Sequence, residues 1–299
     1  MKTEVARGHP ITRHWAEVRR PFSRGAAVTI GLLLPASAVI GFFLLPPLAN
    51  VLLASFTLNE RTLTAPNVEN YARFLTDSFY LETLAFTLRV SFISTACTLI
   101  LGYLVAFYLA RVVRSSLLRR LGYLVVIAPL FTSSIVRAFG WMVNLGNNGF
   151  INRTLLDLGV RETPLQLMYN ELGIVIGLTH ILLPFMVLSI AAVLQNIDRS
   201  LESAAADLGA NPMVTFLTVT FPLSLPGVVA GSLIVFSLAI SSYVTPALLS
   251  GGRLQVIPML IFESYNVTFD WGFGATMAIL LLALTLAIVS VYTRLLRTA

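Results

Sequence analysis

The residue types that most often carry chemistry are scarce in this 299-residue sequence, and their positions exclude several classes of function. Lys2 is the only lysine, so the chain has no Gly-Lys-Ser/Thr loop for ATP phosphates and no buried lysine for a Schiff base. Cys97 is the only cysteine, which excludes an intrachain disulfide and a thiolate metal cluster. His9, His14 and His180 lack the spacing of a helical metal site. We therefore expect no catalytic residue, metal or cofactor in this chain.

Three polar side chains lie inside or beside long apolar segments and are candidates for a translocation path or a gate: Arg137, His180 and Tyr243. A charge within a membrane span is costly and is usually functional. A structural arginine between helices explains Arg137 equally well, and we interpret Arg89, near the outer end of a span, in that way. We interpret His180 as an interhelical hydrogen-bond donor, because no Asp or Glu lies mid-span to relay a proton. Tyr243 follows Ser241-Ser242, a pair that close helix packing explains as well.

The composition places these residues in a membrane protein. Hydrophobic residues make up 57% of the chain and charged residues 11%, less than half the charged share of a typical soluble domain. Uncharged runs of about 18 or more residues can span a bilayer as helices, and five such runs lie at 26–59, 90–110, 172–197, 208–252 and 271–293. We predict an all-α polytopic membrane protein whose domain at 26–299 has six transmembrane helices, at 26–56, 83–110, 120–144, 171–196, 225–249 and 271–294.

The ends of the first predicted helix carry additional signals. Pro46-Pro47, with Pro35 further inside, predicts a kink or a break near its outer end. Residues 1–25 precede it and are rich in arginine. We predict that they form a basic tail that is disordered or faces the lipid surface.

The positions of the basic residues predict the orientation of the chain. If both termini share one side with the loops near 111–119 and 197–224, that side holds 13 of the 20 basic residues and 5 of the 14 acids. Its net charge is then +8 and the rest of the chain carries −2, which gives the observed +6. Because cytoplasmic loops carry the excess of basic residues, we predict cytoplasmic termini. The net positive charge of the chain therefore indicates its orientation in the membrane, and we expect no nucleic acid partner.

The loop at about 197–224, hereafter the coupling loop, predicts a helix, a sharp turn and a second helix at the membrane surface. Ser200 is a good N-cap with Glu202 in the first turn. Gly209 is typical of the left-handed residue that ends a helix, and Asn211-Pro212 predicts the start of the next. The three alanines at 204–206 present a flat surface that fits a groove on another protein. An interfacial helix that only joins two spans explains the pattern as well.

This loop resembles the Glu-Ala-Ala loop of the integral membrane subunits of bacterial ABC importers. That family's pattern runs Leu-Glu-Glu-Ala-Ala-Arg-Asp-Leu-Gly-Ala. It is met here by Leu201, Glu202, Ala204, Ala205, Asp207, Leu208, Gly209 and Ala210, and then by Phe216, Pro222 and Pro226-Gly227. Two positions depart from it, since Ser203 stands at the signature glutamate and Ala206 at a common arginine. Glu202 keeps a charge one residue earlier, about 100° away around the helix.

The resemblance extends from about residue 28 to 295 and is to one branch, the B-type permease subunit of spermidine/putrescine importers and their relatives. The matching segments are Asn70-Tyr71, Leu101-Gly102-Tyr103 with Ala106, Ile135-Val136-Arg137 with Trp141, Gly149-Phe150-Ile151-Asn152, Leu182-Leu183-Pro184-Phe185, Thr245-Pro246-Ala247-Leu248-Leu249 with Gly251-Gly252, and Asp270-Trp271. The resemblance implies the type I ABC importer permease fold and a multi-pass location in the bacterial inner membrane. It implies half of a translocation path for a small solute, a polyamine or otherwise another small organic or inorganic solute.

The resemblance also implies partners. These are a second permease that gives a heterodimer, an extracytoplasmic solute-binding protein, membrane lipid, and a dimer of cytoplasmic ATPases that bind ATP and Mg²⁺. This chain would then be non-enzymatic, with an ATPase-coupling set at Glu202, Ser203, Ala204, Ala205, Asp207 and Gly209. A stand-alone channel or secondary carrier that uses Arg137 and His180 remains an alternative. A membrane-embedded enzyme is a third, for which the sequence offers no paired acids or nucleophile–base set.

Overall fold

The computed structural model describes residues 25–57 and 68–297, and within these ranges it contains helices and turns but no strand. The first helices are α1 (Gly25–Ala54), α2 (Glu69–Thr76), α3 (Ser78–Phe107), α4 (Ser116–Ile127), α5 (Ser134–Leu145) and α6 (Phe150–Asp157). The remaining helices are α7 (Glu171–Asn196), α8 (Arg199–Asp207), α9 (Pro212–Thr215), α10 (Phe221–Ile240), α11 (Val244–Ser250), α12 (Ile257–Asn266) and α13 (Trp271–Arg297). The predicted basic tail lies outside the described residues, apart from Gly25.

The chain divides into two units with a boundary between Leu53 and Ala54, so that nearly all of α1 belongs to the first unit. Pro35, Pro46 and Pro47 all lie inside this 30-residue helix. The helix continues to Ala54, so the chain does not break at Pro46-Pro47, and the alternative of a kink at this position stays a prediction. Proline removes a backbone donor, but membrane helices tolerate it where local adjustments satisfy the freed carbonyl groups.

Three helices, α3, α7 and α10, pack against one another and form the main core of the larger unit. α7 has the predicted bounds, and its side chains are the most completely buried of the three. Glycines allow the close approach, since a Cβ at Gly102 of α3 would lie 2.7 Å from Met186 Cγ. A Cβ at Gly231 of α10 would lie 2.7 Å from Met186 Sδ. Small residues at helix contacts are the usual way in which membrane helices pack closely.

The third predicted span, 120–144, is wrong as a single helix. It consists of α4, a 3₁₀ turn at Ala128–Phe131 and α5, with a bend of 100° between the two halves. Pro129 lies in that turn and cannot donate to a preceding carbonyl group, so the α-helix ends before it. Ser133 then caps α5, where its Oγ accepts a hydrogen bond from Ile135 N at 3.3 Å. The segment is therefore a pair of half-helices.

The fifth predicted span, 225–249, is displaced. The observed helix runs from Pro212 to Ile240 through a π-helical turn at Phe216–Thr220, and α11 is a separate helix. The π turn lies just before Pro222, which is the second residue of α10. At the other end, the Ser241 hydroxyl donates to Ser237 O at 2.9 Å and competes with continued helix. The second surface helix predicted for the coupling loop is thus the start of the fifth span.

Five helical segments in the described residues are long and apolar enough to cross a membrane, and the bent α4–α5 pair makes a sixth when it counts as one span. The last of them, α13, packs against α2, α10 and α12. A second apolar cluster lies among these helices and includes Phe74, Phe236, Ile257, Phe273 and Met277. The predicted all-α polytopic fold is confirmed.

Candidate functional site

The coupling loop contains the helix and sharp turn that the sequence predicts. α8 begins after Asp198, whose Oδ1 accepts a hydrogen bond from Ser200 N at 2.9 Å. The predicted N-cap, Ser200, is therefore wrong, because α8 already begins at Arg199 and Asp198 satisfies a free backbone donor of its first turn. The hydrogen bond from Ser200 N, followed by one from the Ser200 side chain, lowers the pKa of Asp198 below its ordinary value. The cap therefore remains charged at neutral pH.

Gly209 ends α8 as predicted. Its φ is +86°, in the left-handed region. Gly209 N donates to Ala206 O at 2.9 Å and Ala210 N donates to Ala205 O at 3.0 Å. This pair of bonds is the Schellman arrangement, which satisfies the last carbonyl groups of a helix. Asn211 then caps the fifth span, as predicted, through a 2.9 Å hydrogen bond from Val214 N to its Oδ1.

The candidate coupling residues divide between two faces of α8. Ser203, Ala204 and Asp207 are exposed, whereas Glu202 and Ala205 are half-buried against the rest of the chain. The Ser203 hydroxyl donates to Arg199 O in the preceding turn at 3.3 Å. Beyond the helix, two apolar side chains project into solvent, since Leu208 is 89% exposed and Met213 is 65% exposed. The outward surface of the loop is therefore small along α8 and apolar at the turn.

The inward face of α8 lies against the ends of two spans. Glu202 Oε1 accepts a hydrogen bond from Thr220 Oγ1 at 2.9 Å and lies 3.5 Å from Arg111 Nε. A groove of about 370 Å³ runs beside these side chains, lined also by Ala206 and Phe216. Sequence reasoning missed Arg111 and Thr220 as partners of the loop. The available signal was that Arg111 is the first charge after the uncharged run 90–110.

Two of the candidate path residues come together between α5 and α7. Arg137 Nη1 donates to Ile181 O at 3.4 Å, and the Trp141 ring lies edge-on to the His180 ring, with centroids 5.3 Å apart. Among the described residues, Arg137 Nε, His180 Nδ1 and the neighbouring Thr179 Oγ1 are buried without a hydrogen-bond partner. The interpretation of His180 as an interhelical donor thus finds no acceptor at Nδ1. This cluster has hydrogen-bonding capacity that the described chain does not use.

The third candidate path residue, Tyr243, lies elsewhere in the structure. It lies between the end of the fifth span and α11, and its ring stacks on Phe262 of α12 with centroids 4.5 Å apart. Arg89, which we interpreted as structural, pairs with Glu171 at the start of α7 at 2.6 Å. An arginine held by a carboxylate at a helix start agrees with that interpretation.

Comparison with known proteins gives consistent matches along most of the chain. Residues 98–298 match the family described as the binding-protein-dependent transport system inner membrane component. The spermidine/putrescine transport system permease protein PotB of Salmonella typhimurium (strain SL1344) is 37% identical over 214 residues, which cover 72% of this chain and 74% of that protein. The protein of the same name from Haemophilus influenzae is 32% identical over 256 residues, or 85% of this chain and 88% of that protein.

A solved structure supports the fold independently. A chain of the bacterial alginate ABC transporter, crystallised in complex with an alginate pentasaccharide-bound periplasmic protein, matches with a TM-score of 0.76 and 16% sequence identity. The match covers 92% of this chain and 95% of that chain. At this identity the likeness concerns the fold alone, and it confirms the predicted importer permease fold.

Proposed function

Because the chain belongs to the family of binding-protein-dependent transport system inner membrane components and is a permease subunit of an ABC importer, we propose that its solute is a polyamine such as spermidine or putrescine. The observation that carries the proposal is the likeness to PotB proteins of two genera, at 32–37% identity over most of both chains. Another small solute is the rival, since selectivity in such a system also depends on the separate binding protein.

Uptake by the assembled importer tests the solute. The chain is reconstituted in proteoliposomes with its second permease, its ATPase and its binding protein, and ATP-driven uptake of radiolabelled spermidine and putrescine is measured. We expect saturable uptake that unlabelled polyamines suppress and that a neutral sugar or a small anion does not, with ATP-free liposomes as the control. Failure to take up either polyamine, with stimulation of the ATPase by a different solute, would contradict the proposal.

We propose that the outward surface of the coupling loop docks on the ATPase. The support is its shape and chemistry: a short helix with small exposed residues, Ser203 and Ala204, followed by a fixed turn that exposes Leu208 and Met213. The chain's single lysine, Lys2, leaves no phosphate-binding Gly-Lys-Ser/Thr loop of its own. ATP and Mg²⁺ would therefore be bound by two ATPase copies, one for each permease of a heterodimer.

The proposed orientation follows from the charges. If the termini are cytoplasmic, the coupling loop lies on the side where ATP is available. The rest of the chain, in the membrane and outside it, then carries a net charge of −2. A binding protein would deliver the solute to the outer loops near 57–82, 145–170 and 250–270. The basic tail at 1–25 would lie in the cytoplasm next to the lipid headgroups.

We keep Arg137, His180 and Tyr243 as proposed path or gate residues. The support for the first two is that Arg137 Nε and His180 Nδ1 are buried and have no partner within the described chain. A fixed cation repels a polyamine, so Arg137 fits a gate next to the path better than a direct contact with the solute. Tyr243 fits a movable element, because it lies between the end of the fifth span and α11.

A further inference from the structure

A single carboxylate oxygen joins three elements at the base of the coupling loop. Glu202 lies in the first turn of α8, and its Oε1 accepts the 2.9 Å hydrogen bond from Thr220 and faces Arg111 Nε at 3.5 Å. Arg111 belongs to the π-helical turn Tyr108–Val112, which ends the second span. Thr220 ends the π-helical turn Phe216–Thr220 of the fifth span. We refer to Glu202, Arg111 and Thr220 as the loop triad.

Two members of the loop triad are buried and the third, Glu202, is partly exposed. The Arg111 side chain is 6% exposed, the Glu202 side chain 27%, and Thr220 is 2% exposed. Removal of the Glu202 carboxylate would leave the buried charge of Arg111 without this ion-pair partner, which is destabilising. The carboxylate of Glu202 is thus turned away from the surface on which a cytoplasmic partner would dock.

Two arginines reinforce the same junction through backbone carbonyl groups. Arg111 Nη2 donates to Ile197 O, just before α8, at 3.0 Å. In the opposite direction, Arg199 Nη2 of α8 donates to Ala110 O at 3.4 Å. The start of α8 and the end of the second span are therefore linked reciprocally, so a displacement of one carries the other.

The spans also pack directly against each other at the triad. The rings of Phe107 and Phe216 meet edge to face with centroids 5.3 Å apart, and Tyr103 meets Phe216 at 5.8 Å. The Tyr103 hydroxyl lies 2.9 Å from Ser224 Oγ. A displacement of α8 that moves the triad therefore also moves the second and fifth spans, because their side chains are packed together.

We propose that Glu202 is a positioning residue that fixes α8 to the second and fifth spans and transmits its movement to them, and that it is not an ATPase contact. This inference rests on the proposed docking of the ATPase on α8. It separates two roles within one short helix: the exposed face, with Ser203 and Ala204, receives the partner, while the loop triad passes the displacement into the membrane.

The test uses the complete importer in lipid nanodiscs with its solute-binding protein. Two quantities are measured: the amount of ATPase that co-purifies, and the ratio of ATP hydrolysis with and without solute-loaded binding protein. For Glu202→Gln we expect co-purification within about twofold of wild type and a stimulation ratio reduced at least about threefold, the scale of coupling within one contact network. Thr220→Val, which removes only one hydrogen bond, should lower the ratio in the same direction by less.

A charge exchange distinguishes positioning from a general loss of structure. Glu202→Arg and Arg111→Glu should each lower the stimulation ratio, and the double variant should recover at least part of it. Arg114→Gln, at an exposed arginine on the same side of the chain, is the matched control and should keep the wild-type ratio. An exchange variant no better than the product of the two single effects would overturn the proposal, as would an unchanged ratio for Glu202→Gln.

The amount of ATPase that co-purifies with each variant shows whether the positioning role or the docking proposal has failed. If Glu202→Gln loses the ATPase as completely as an outward variant such as Ala204→Trp, Glu202 is a docking residue and the positioning role is wrong. If Ala204→Trp retains the ATPase fully, docking on α8 itself is wrong. These two failures give different patterns of co-purification, so they cannot be confused.

Discussion

Gly209 holds a left-handed backbone, with φ of +86°, at the turn that fixes the direction of the coupling loop. In this conformation the backbone free energy of a residue with a Cβ is about 1–2 kcal/mol less favourable, and the effect is largest for a β-branched residue. We expect Gly209→Val to lower ATPase co-purification about five- to thirtyfold, the equilibrium equivalent of that free energy, because the turn rotates away from its docking geometry.

The chain offers a matched control for this substitution. Gly252 has φ of +77°, and an added Cβ meets no atom within 4 Å at either glycine. Gly252→Val therefore carries a comparable backbone cost in a loop between α11 and α12. It should leave ATPase recovery at the wild-type level, while equal losses for both variants would show that Gly209 acts only through general stability.

Turn and cap residues can be predicted from the neighbouring sequence, whereas side-chain contacts between distant parts of the chain cannot. Gly209 and Asn211-Pro212 are identifiable from the sequence because turn and cap preferences depend on neighbouring residues alone. The cap lies at Asp198 instead of Ser200 because both residue types are good N-caps and the sequence does not mark at which of them the helix begins. The pairing of Glu202 with Arg111, which is 91 residues earlier in the chain, depends on how two spans pack and has no local signal.

At the scale of elements, glycines set the distance between α7 and its neighbours. A Cβ at Gly227 of α10 would lie 2.9 Å from Ser189 O and 3.1 Å from Ile190 Cα, both of which are backbone atoms of α7. We expect Gly227→Ala to lower the free energy of unfolding by about 1–3 kcal/mol, because backbone atoms cannot move aside as a flexible side chain does.

Thermal unfolding of the purified importer in detergent checks this prediction. Gly140→Ala in α5 is the control, because nothing lies within 4 Å of its added Cβ. That control should be neutral or slightly stabilising, since alanine favours helix over glycine. A Gly227→Ala variant as stable as the Gly140→Ala variant would show that the α7–α10 contact adjusts freely.

The spans show which elements a sequence can predict. α7 follows from an uncharged run between Glu171 and Asp198, and it has the predicted bounds because its cap and its ends are marked by polar residues. The third span is a broken pair, since apolar periodicity does not reveal where Pro129 turns a helix. The fifth span begins early because a π turn carries the helix past Pro222, which we expected to lie outside it.

At the scale of the whole molecule, the described part of the chain is a set of helices, five of which are long and apolar enough to cross a membrane. Its family identifies it as a permease subunit of an ABC importer, and the fold agrees with that of the alginate transporter chain. The single lysine, Lys2, is consistent with ATP hydrolysis in another subunit. If the ATPase docks on α8 as proposed, the loop triad would connect it to the second and fifth spans.

The dependence of transport on the ATPase tests the central claim most directly. Proteoliposomes that contain the complete importer and solute-loaded binding protein are compared with proteoliposomes that contain this chain alone, each with and without ATP on the ATPase side. Accumulation of solute only in the complete importer, and only with ATP, is the predicted result. Solute transport by the chain alone at a comparable rate would contradict the account and identify a stand-alone carrier or channel.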